Sequence, residues 1–542
     1  MYRHVHPDLG PILGQQVEGG LVQFRSIPYA AISRRFARAR LLKELPRNNG
    51  DTCFDASQWG PSSIQRLDCI ETDLKWNQLP EQPSRTQTQS EDCLRVTLTV
   101  PETQLKSESK IPVLAFIHGG ALAVASGERY YYDPTKLCAD ALASQKPLLF
   151  VSINYRLGPL GFLHSPEAEE LLPPNNGLYD QLLAFEWIRE FIAGFGGDPE
   201  NVTAIGQSAG AASLELHNCN PRKEPLFRQS AVLSGSGSII SVQSPEEHHV
   251  EFCKMAKSLG IDAKERPAQD VARELLDVPV ESIRDLALHG SFCSETELVP
   301  DKDWATMRHA NTLKPNAWLK SQIISSCTYD GSISYLVEHA KNRQKRAASF
   351  ESTCKKQLKH PEDMLNIYGI SAIDSDEDAL LKIGQVVTDA GFYAPAISML
   401  NGASDSPTES YMVSFDIPNP WPGPLPQNQC ASHTWDVVSL LGPYEDQLPV
   451  EMREGVSAWR HLIIGYCHGE PPGKSWSPKE RFIQRVGSRG LEQLGPLEVQ
   501  ALPAEKLLGL AHKEGGEQGF DHMWHNTVRF YLDKEESEAA KL

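Results

Sequence analysis

The sequence predicts an α/β protein built on a doubly wound, mostly parallel sheet. Three observations lead there. Apolar runs of strand length, "IPVLAFI", "KPLLFVSINY" and "NVTAI", each stop at turn residues. Between the second and third lies the amphipathic stretch "YDQLLAFEWIREFIAGFGGDP". The third run leads directly into Gly206-Gln207-Ser208-Ala209-Gly210 and then into a small-residue helix start.

The first run ends at His118-Gly119-Gly120-Ala121. Small residues there expose backbone N–H groups beyond a strand end, as an oxyanion-binding loop requires. The second run closes at "NYRLG". In the amphipathic stretch Leu182, Leu183, Phe185, Trp187, Ile188, Phe191 and Ile192 recur at helical spacing, and Gly194 with the following Phe-Gly-Gly-Asp-Pro makes a stop. Strand, helix and strand in that order imply a right-handed parallel crossover. Ser208 then sits between the strand "VTAI" and the helix start "AGAASLELH". Strand–turn–helix is the setting that turns Gly-x-Ser-x-Gly into a nucleophile elbow. The flanking glycines remove Cβ atoms from a tight turn, and the helix N-terminus aims free N–H groups at the reacting centre. The N–H of Ala209 joins donors from that loop in stabilising an oxyanion.

At 542 residues the chain can enclose a buried site in a large core. A formal net charge of -18 argues against nucleic acid and anionic lipid as partners. No apolar run approaches the roughly 20 residues that span a bilayer. "MYRHVHPDLGPILGQ" has no apolar signal core, and the 11 cysteines are odd in number and lack CxxC spacing. The expectation is reduced thiols in the cytoplasm. No internal repeat is visible. "NQLPEQPSRTQTQSED" and the Pro-rich stretch Ser414 to His433 read as loops, and "AKNRQKRAASFESTCKKQ" as a solvated helix face. "EEHHVEF" reads as an exposed helix face. His522 and His525 fall at helical spacing on a C-terminal packing helix, without the further ligands a metal site needs.

Eight stretches extend the pattern through most of the chain: "FRSIPYA", "SEDCLRVTLTV", "FIHGGAL", "INYRLGPLGFL", the block from Asn175 to Leu214, "TYDGS", "TDAGFYAPA" and "SHTWDVVSLLG". In kind and order they resemble the type-B carboxylesterase family, which includes cholinesterases and large fungal lipases. The resemblance implies an α/β-hydrolase fold: a mixed, mostly parallel central sheet, helices on both faces, and helical insertions over the active site. It implies a single domain over 1–542, in a fungal-type intracellular member. It implies a serine carboxylic ester hydrolase acting on a small or medium organic ester, with no metal or organic cofactor. Carried over position by position, the triad is Ser208, Asp330 and His433, and the oxyanion hole is Gly120, Ala121 and Ala209.

Three positions depart from the family pattern. Asp330 stands where glutamate is usual; it is one methylene shorter, yet still able to orient an imidazolium. Ala121 replaces a third glycine; its N–H survives while its methyl narrows the acyl pocket. Gln207 stands where many relatives carry glutamate, which removes a charge beside the site and argues against cationic substrates. Arg156–Asp180 and Arg35–Glu91 match structural ion pairs, and Asp436 reads as a structural neighbour of His433. Cys69 and Cys93 match a pair that secreted relatives oxidise, whereas Ile261 occupies a position of the second family disulfide. Asn201 is formally a glycosylation site, but it opens the strand before the elbow. Trp421 either lines the pocket or packs. Ala540-Lys541-Leu542 resembles a peroxisomal address, with a frayed acidic tail as the alternative. Two other functions fit the same chain: a transacylase, lactonase or cyclising enzyme of specialised metabolism, and a non-catalytic binding protein.

Overall fold

Twelve strands form one continuous path through a 13-stranded sheet. The structure is a computed structural model. It describes residues 1–532 except 48–51, 82–87, 221, 241, 287–289, 301–305, 307 and 530, so the C-terminal tripeptide lies outside the described residues. In chain order the strands are β1 (Tyr2–His6), β2 (Gly10–Val17), β3 (Leu21–Pro28), β4 (Arg95–Pro101), β5 (Ile111–Ile117) and β6 (Leu149–Ile153). There follow β7 (Gly197–Gln207), β8 (Gln229–Leu233), β9 (Ser321–Cys327), β10 (Glu409–Asp416), β11 (Ile483–Gly487) and β12 (Gly490–Leu494). Their spatial order is β1-β2-β3-β4-β6-β5-β7-β8-β9-β10-β11-β12. Pairing is parallel from β6 through β11 and antiparallel at both margins. The sheet is therefore mixed and mostly parallel, as expected.

The three expected strands are β5, β6 and β7. β5 and β6 are buried at every position, which explains their predominantly apolar sequences, and Ser152 in β6 satisfies its hydroxyl by donating to Gly127 O. Alternate side chains of β5 feed opposite faces. Val113, Ala115 and Ile117 join a core cluster with Trp187, while Leu114 and Phe116 join another with Trp435 and Trp459. β5 lies between β6 and β7 and pairs with both. The crossover through the helix Asn176–Phe191 thus passes over β5. Strand order reverses at this point, which in open α/β sheets opens a crevice at the carboxyl ends.

The register aligns those ends. Gly206 lies beside Ile117, Gln207 beside Leu233, Leu233 beside Ser325, and Cys327 beside Phe415. Loops that follow β5, β7, β8, β9 and β10 consequently emerge along one rim. Just past β6, Arg156 grips Asp180 with a fork of 2.8 and 2.7 Å hydrogen bonds, both side chains buried. Arg35 meets Glu91 at 2.5 Å. Both expected ion pairs are present.

One expectation changes. The "EEHHVEF" histidines are not an exposed face. On the helix Pro245–Ser258, His248 is buried on the same side as Phe252 and Met255, because it falls on that helix's apolar stripe. Burial pushes its imidazole down to about 4. His249 is half-buried and meets Ser165 Oγ at 2.9 Å. Cys69 and Cys93 carry free thiols in separate surroundings: Arg129 Nη2 donates to Cys69 Sγ at 3.1 Å, while burial pushes the Cys93 thiol up to about 12 beside Ser63. His522 and His525 face Gln357 O, Asn526 and Asp521 near the chain's end. Among the described residues no helix is long and apolar enough to cross a membrane.

Candidate active site

Ser208 has φ 56° and ψ −123°, between the end of β7 and the helix Ala209–Asn218. A positive φ in a residue with a Cβ stores on the order of 1–3 kcal/mol, and the surroundings must hold it. Ser208 N–H donates to Leu233 O at 3.0 Å, and its carbonyl accepts from Ala212 N at 3.0 Å. The two motif glycines answer to close approach. A Cβ on Gly206 would lie 2.4 Å from Gly210 O, and one on Gly210 would lie 2.2 Å from Ile117 O. Larger residues there would push the elbow off the sheet.

The loop after β5 turns with Gly120 at φ 99° and Ala121 at φ 53°. Gly120 O accepts from Ala123 N and Val124 N at 2.9 and 3.0 Å, closing the turn. The N–H groups of Gly120, Ala121 and Ala209 donate to no partner among the described residues. Below them His118 stacks on Tyr155 with ring centroids 4.6 Å apart, and burial pushes its imidazole down to about 4. It serves as a neutral support.

Asp330 and His433 come from the loops after β9 and β10. Those loops are laced together: Tyr329 N donates to Ala431 O at 3.2 Å, and His433 N donates to Ser332 Oγ at 2.9 Å. His433 Nδ1 then lies 2.8 Å from Asp330 Oδ1, while Asp330 Oδ2 accepts from Cys327 N at 2.8 Å. Both side chains are buried. Gly331 lets the turn seat closely, since a Cβ there would lie 1.9 Å from Gly384 O. A π-helical turn, Asp389–Tyr393, sets Phe392 against the imidazole with centroids 5.2 Å apart. Asp436 sits on the far side of Ser234, whose Oγ donates to it at 3.1 Å. Burial first, then the charge of Asp330, pushes the Asp436 carboxyl up to about 6, with His433 opposing.

His433 Nε2 does not meet the Ser208 hydroxyl. It lies 3.2 Å from Gln207 Nε2, and that amide also donates to Thr434 Oγ1 at 3.3 Å. The Ser208 hydroxyl makes no hydrogen bond with any described residue.

Ser208, His433, Gly120 and Ala121 border one cavity of about 520 Å³. The helix Cys69–Trp76 also lines it, contributing Cys69, Thr72, Asp73 and Trp76. That lining helix was not anticipated from the sequence, although the helical spacing of these four residues is legible there. Arg129 bolts it in place, with Nε 3.2 Å from Asp73 Oδ2, and Tyr131 OH donates to the same oxygen at 3.0 Å. Asp73 therefore brings no unpaired charge to the cavity. Trp421 packs against Trp435 and Tyr444, with centroids 6.4 and 5.9 Å away, which decides for packing over pocket lining.

A mixed sheet covered by helices on both faces, with a strained serine between strand and helix, defines an α/β-hydrolase. The chain belongs to the Carboxylesterase family, whose sequence model matches residues 2–453. It is 34% identical over 245 residues to Para-nitrobenzyl esterase of Bacillus subtilis (strain 168), covering 45% of this chain and 46% of that protein. The chain thus spans about half the length of that curated relative. It is 28% identical over 524 residues to Lipase 3 of Yarrowia lipolytica (strain CLIB 122 / E 150), covering 94% of this chain and 96% of the relative. A solved structure of PNB esterase shares the fold with a TM-score of 0.71 at 23% sequence identity, over 93% of this chain and 99% of that one.

Proposed function

We propose that this protein is a serine carboxylic ester hydrolase that works through an acyl-enzyme on Ser208. The observation that carries this reading is the 2.8 Å contact between His433 Nδ1 and Asp330 Oδ1, on the same cavity as a serine held at positive φ. His433 Nε2 takes the Ser208 proton as Oγ bonds to the ester carbonyl carbon. Asp330 holds the Nδ1–H tautomer and steadies the imidazolium. The N–H groups of Gly120, Ala121 and Ala209 receive the oxyanion, where losing one donor typically costs about 2.7–4 kcal/mol of barrier lowering. The imidazolium proton passes to the leaving alcohol. Water then gives a proton to His433 and attacks the acyl-enzyme, releasing the acid and the serine.

The cavity argues for an uncharged, mainly apolar ester. Ile64, Trp76, Leu157, Leu160, Ile283 and Ile333 line it, and its volume of about 520 Å³ exceeds what a simple acetate ester fills. Among the described lining residues Gln207 is neutral, and the carboxylates Asp68 and Asp73 are paired with Arg66 and Arg129 at 2.7 and 3.2 Å, which disfavours a cationic group. The whole chain acts as one catalytic unit on this reading, since the sheet that positions the site draws strands from Tyr2 to Leu494. The test is a panel of p-nitrophenyl esters of rising acyl length, with Ser208→Ala as control and an organophosphonate to label Ser208. Turnover by Ser208→Ala equal to wild type overturns the assignment.

A further inference from the structure

The base of the proposed triad is occupied, and by a neighbour of the nucleophile rather than by the nucleophile. With Nδ1–H donated to Asp330, the only remaining capacity of neutral His433 is the lone pair on Nε2. The group facing that lone pair is the side-chain amide of Gln207, 3.2 Å away and almost fully buried. The amide has a second acceptor in Thr434 Oγ1 at 3.3 Å. It can therefore release one partner without losing the other.

We propose that Gln207 is a positioning residue for the base, resting on the triad reading above. Its amide donates to His433 Nε2 in the substrate-free protein, favours the neutral ring, and yields the lone pair to the Ser208 hydroxyl when an ester enters. A donor to the lone pair favours the unprotonated imidazole, whereas a carboxylate at the same place favours the imidazolium. Gln207 thus keeps the base active at lower pH than a glutamate would. Three other ionisable groups crowd this ring. Asp330 faces Nδ1, Asp436 acts from the following helix, and the Cys327 thiol lies beside both carboxylates. From the π-helical turn the ring meets uncharged Phe392, whose neighbour Asp389 is hydrogen-bonded to Tyr368.

The experiment is the pH dependence of kcat/KM for a p-nitrophenyl ester, which reports the free enzyme's base. It compares wild type, Gln207→Glu and Gln207→Met, each also in an Asp436→Asn background. In Gln207→Glu the acidic limb is expected to rise by about one pH unit or more, from a charge within about 4 Å. Gln207→Met, which loses the donor without adding charge, should rise by a few tenths. Both shifts should persist in Asp436→Asn, which separates them from the titration of Asp436. Unfolding midpoints and organophosphonate labelling of Ser208 confirm that each variant is folded. Acidic limbs that do not move in folded, labelled Gln207→Glu and Gln207→Met overturn the proposal while the triad stands. Wild-type turnover by Ser208→Ala and His433→Ala overturns the triad reading, and this one with it.

Discussion

His433 and Asp330 meet at 2.8 Å across 103 residues of chain, joined by loops that hydrogen-bond to each other before the side chains do. Tyr329 pairs with Ser432 as an isolated parallel bridge, so the backbone sets the carboxylate–imidazole distance. On the proposed triad reading, this laced turn is what lets aspartate reach the imidazole where the resemblance implies the longer glutamate.

Asp330→Asn tests that contact. An amide in place of the carboxylate favours the wrong tautomer of His433, and kcat should fall by roughly 10³–10⁴-fold with little change in KM. Steady-state kinetics on a p-nitrophenyl ester reads this directly. A fall below tenfold would remove Asp330 from the triad.

Ala121 is the second departure from the family pattern, and its φ of 53° limits what can replace it. Ala121→Gly keeps the N–H in a conformation glycine adopts freely, and should retain kcat within about threefold. Ala121→Val places a β-branched side chain where φ is positive and should lower kcat/KM by about a hundredfold or more. Ester hydrolysis assays on the two variants compare these outcomes.

Glu215 lies in the helix behind Ser208, where Gly237 N and Asn311 Nδ2 donate to it at 2.9 and 2.7 Å. Burial pushes its carboxyl up to about 7. The sign follows from proton binding. Between the ordinary glutamate range near pH 4.5 and pH 7 the unfolded chain has released this proton and the folded chain has not. Wild-type stability therefore drops through that window relative to Glu215→Gln, by at most ~3 kcal/mol. Urea unfolding at pH 4 and pH 8 should show the variant gaining on wild type only at the higher pH. An equal difference at both values would contradict it.

Arg156 and Asp180 form a buried ion pair beside the β6 end. Arg156→Met leaves a buried carboxylate without its partner and should cost about 3–5 kcal/mol, whereas Arg156→Met with Asp180→Leu should recover most of it. Denaturant midpoints of the two single variants and the double variant close this cycle.

The sequence was informative wherever chemistry is local. Ser208 was legible because a strand, a Gly-x-Ser-x-Gly turn and a helix start are contiguous, and β5 and β6 because strands buried on both faces are mostly apolar. The turn at Gly120 and Ala121 after β5 was legible for the same reason. Contacts that depend on packing were not. His248 sits among charged residues in the sequence, yet helix phase turns it inward with Phe252 and Met255. Residues 69–76 carry helical spacing, but nothing local says which surface that helix faces. Cys69 and Cys93 matched a disulfide pair by position, while Cys69 accepts from Arg129 and Cys93 lies buried in the core.

The sequence by itself therefore determined the α/β class, the strained serine turn, and the identity of the acid and base candidates through the family's motif order. Periodicity and turn chemistry act over a few residues, and this is why they can be read from a string. Only the tertiary structure decided that the Ser208 neighbour Gln207 faces His433 Nε2 and that the helix Cys69–Trp76 walls the cavity. It also decided that Asp330 reaches the imidazole. These relationships arise where strand ends brought together by sheet register meet, and their distances are set by the packing of segments far apart in the chain.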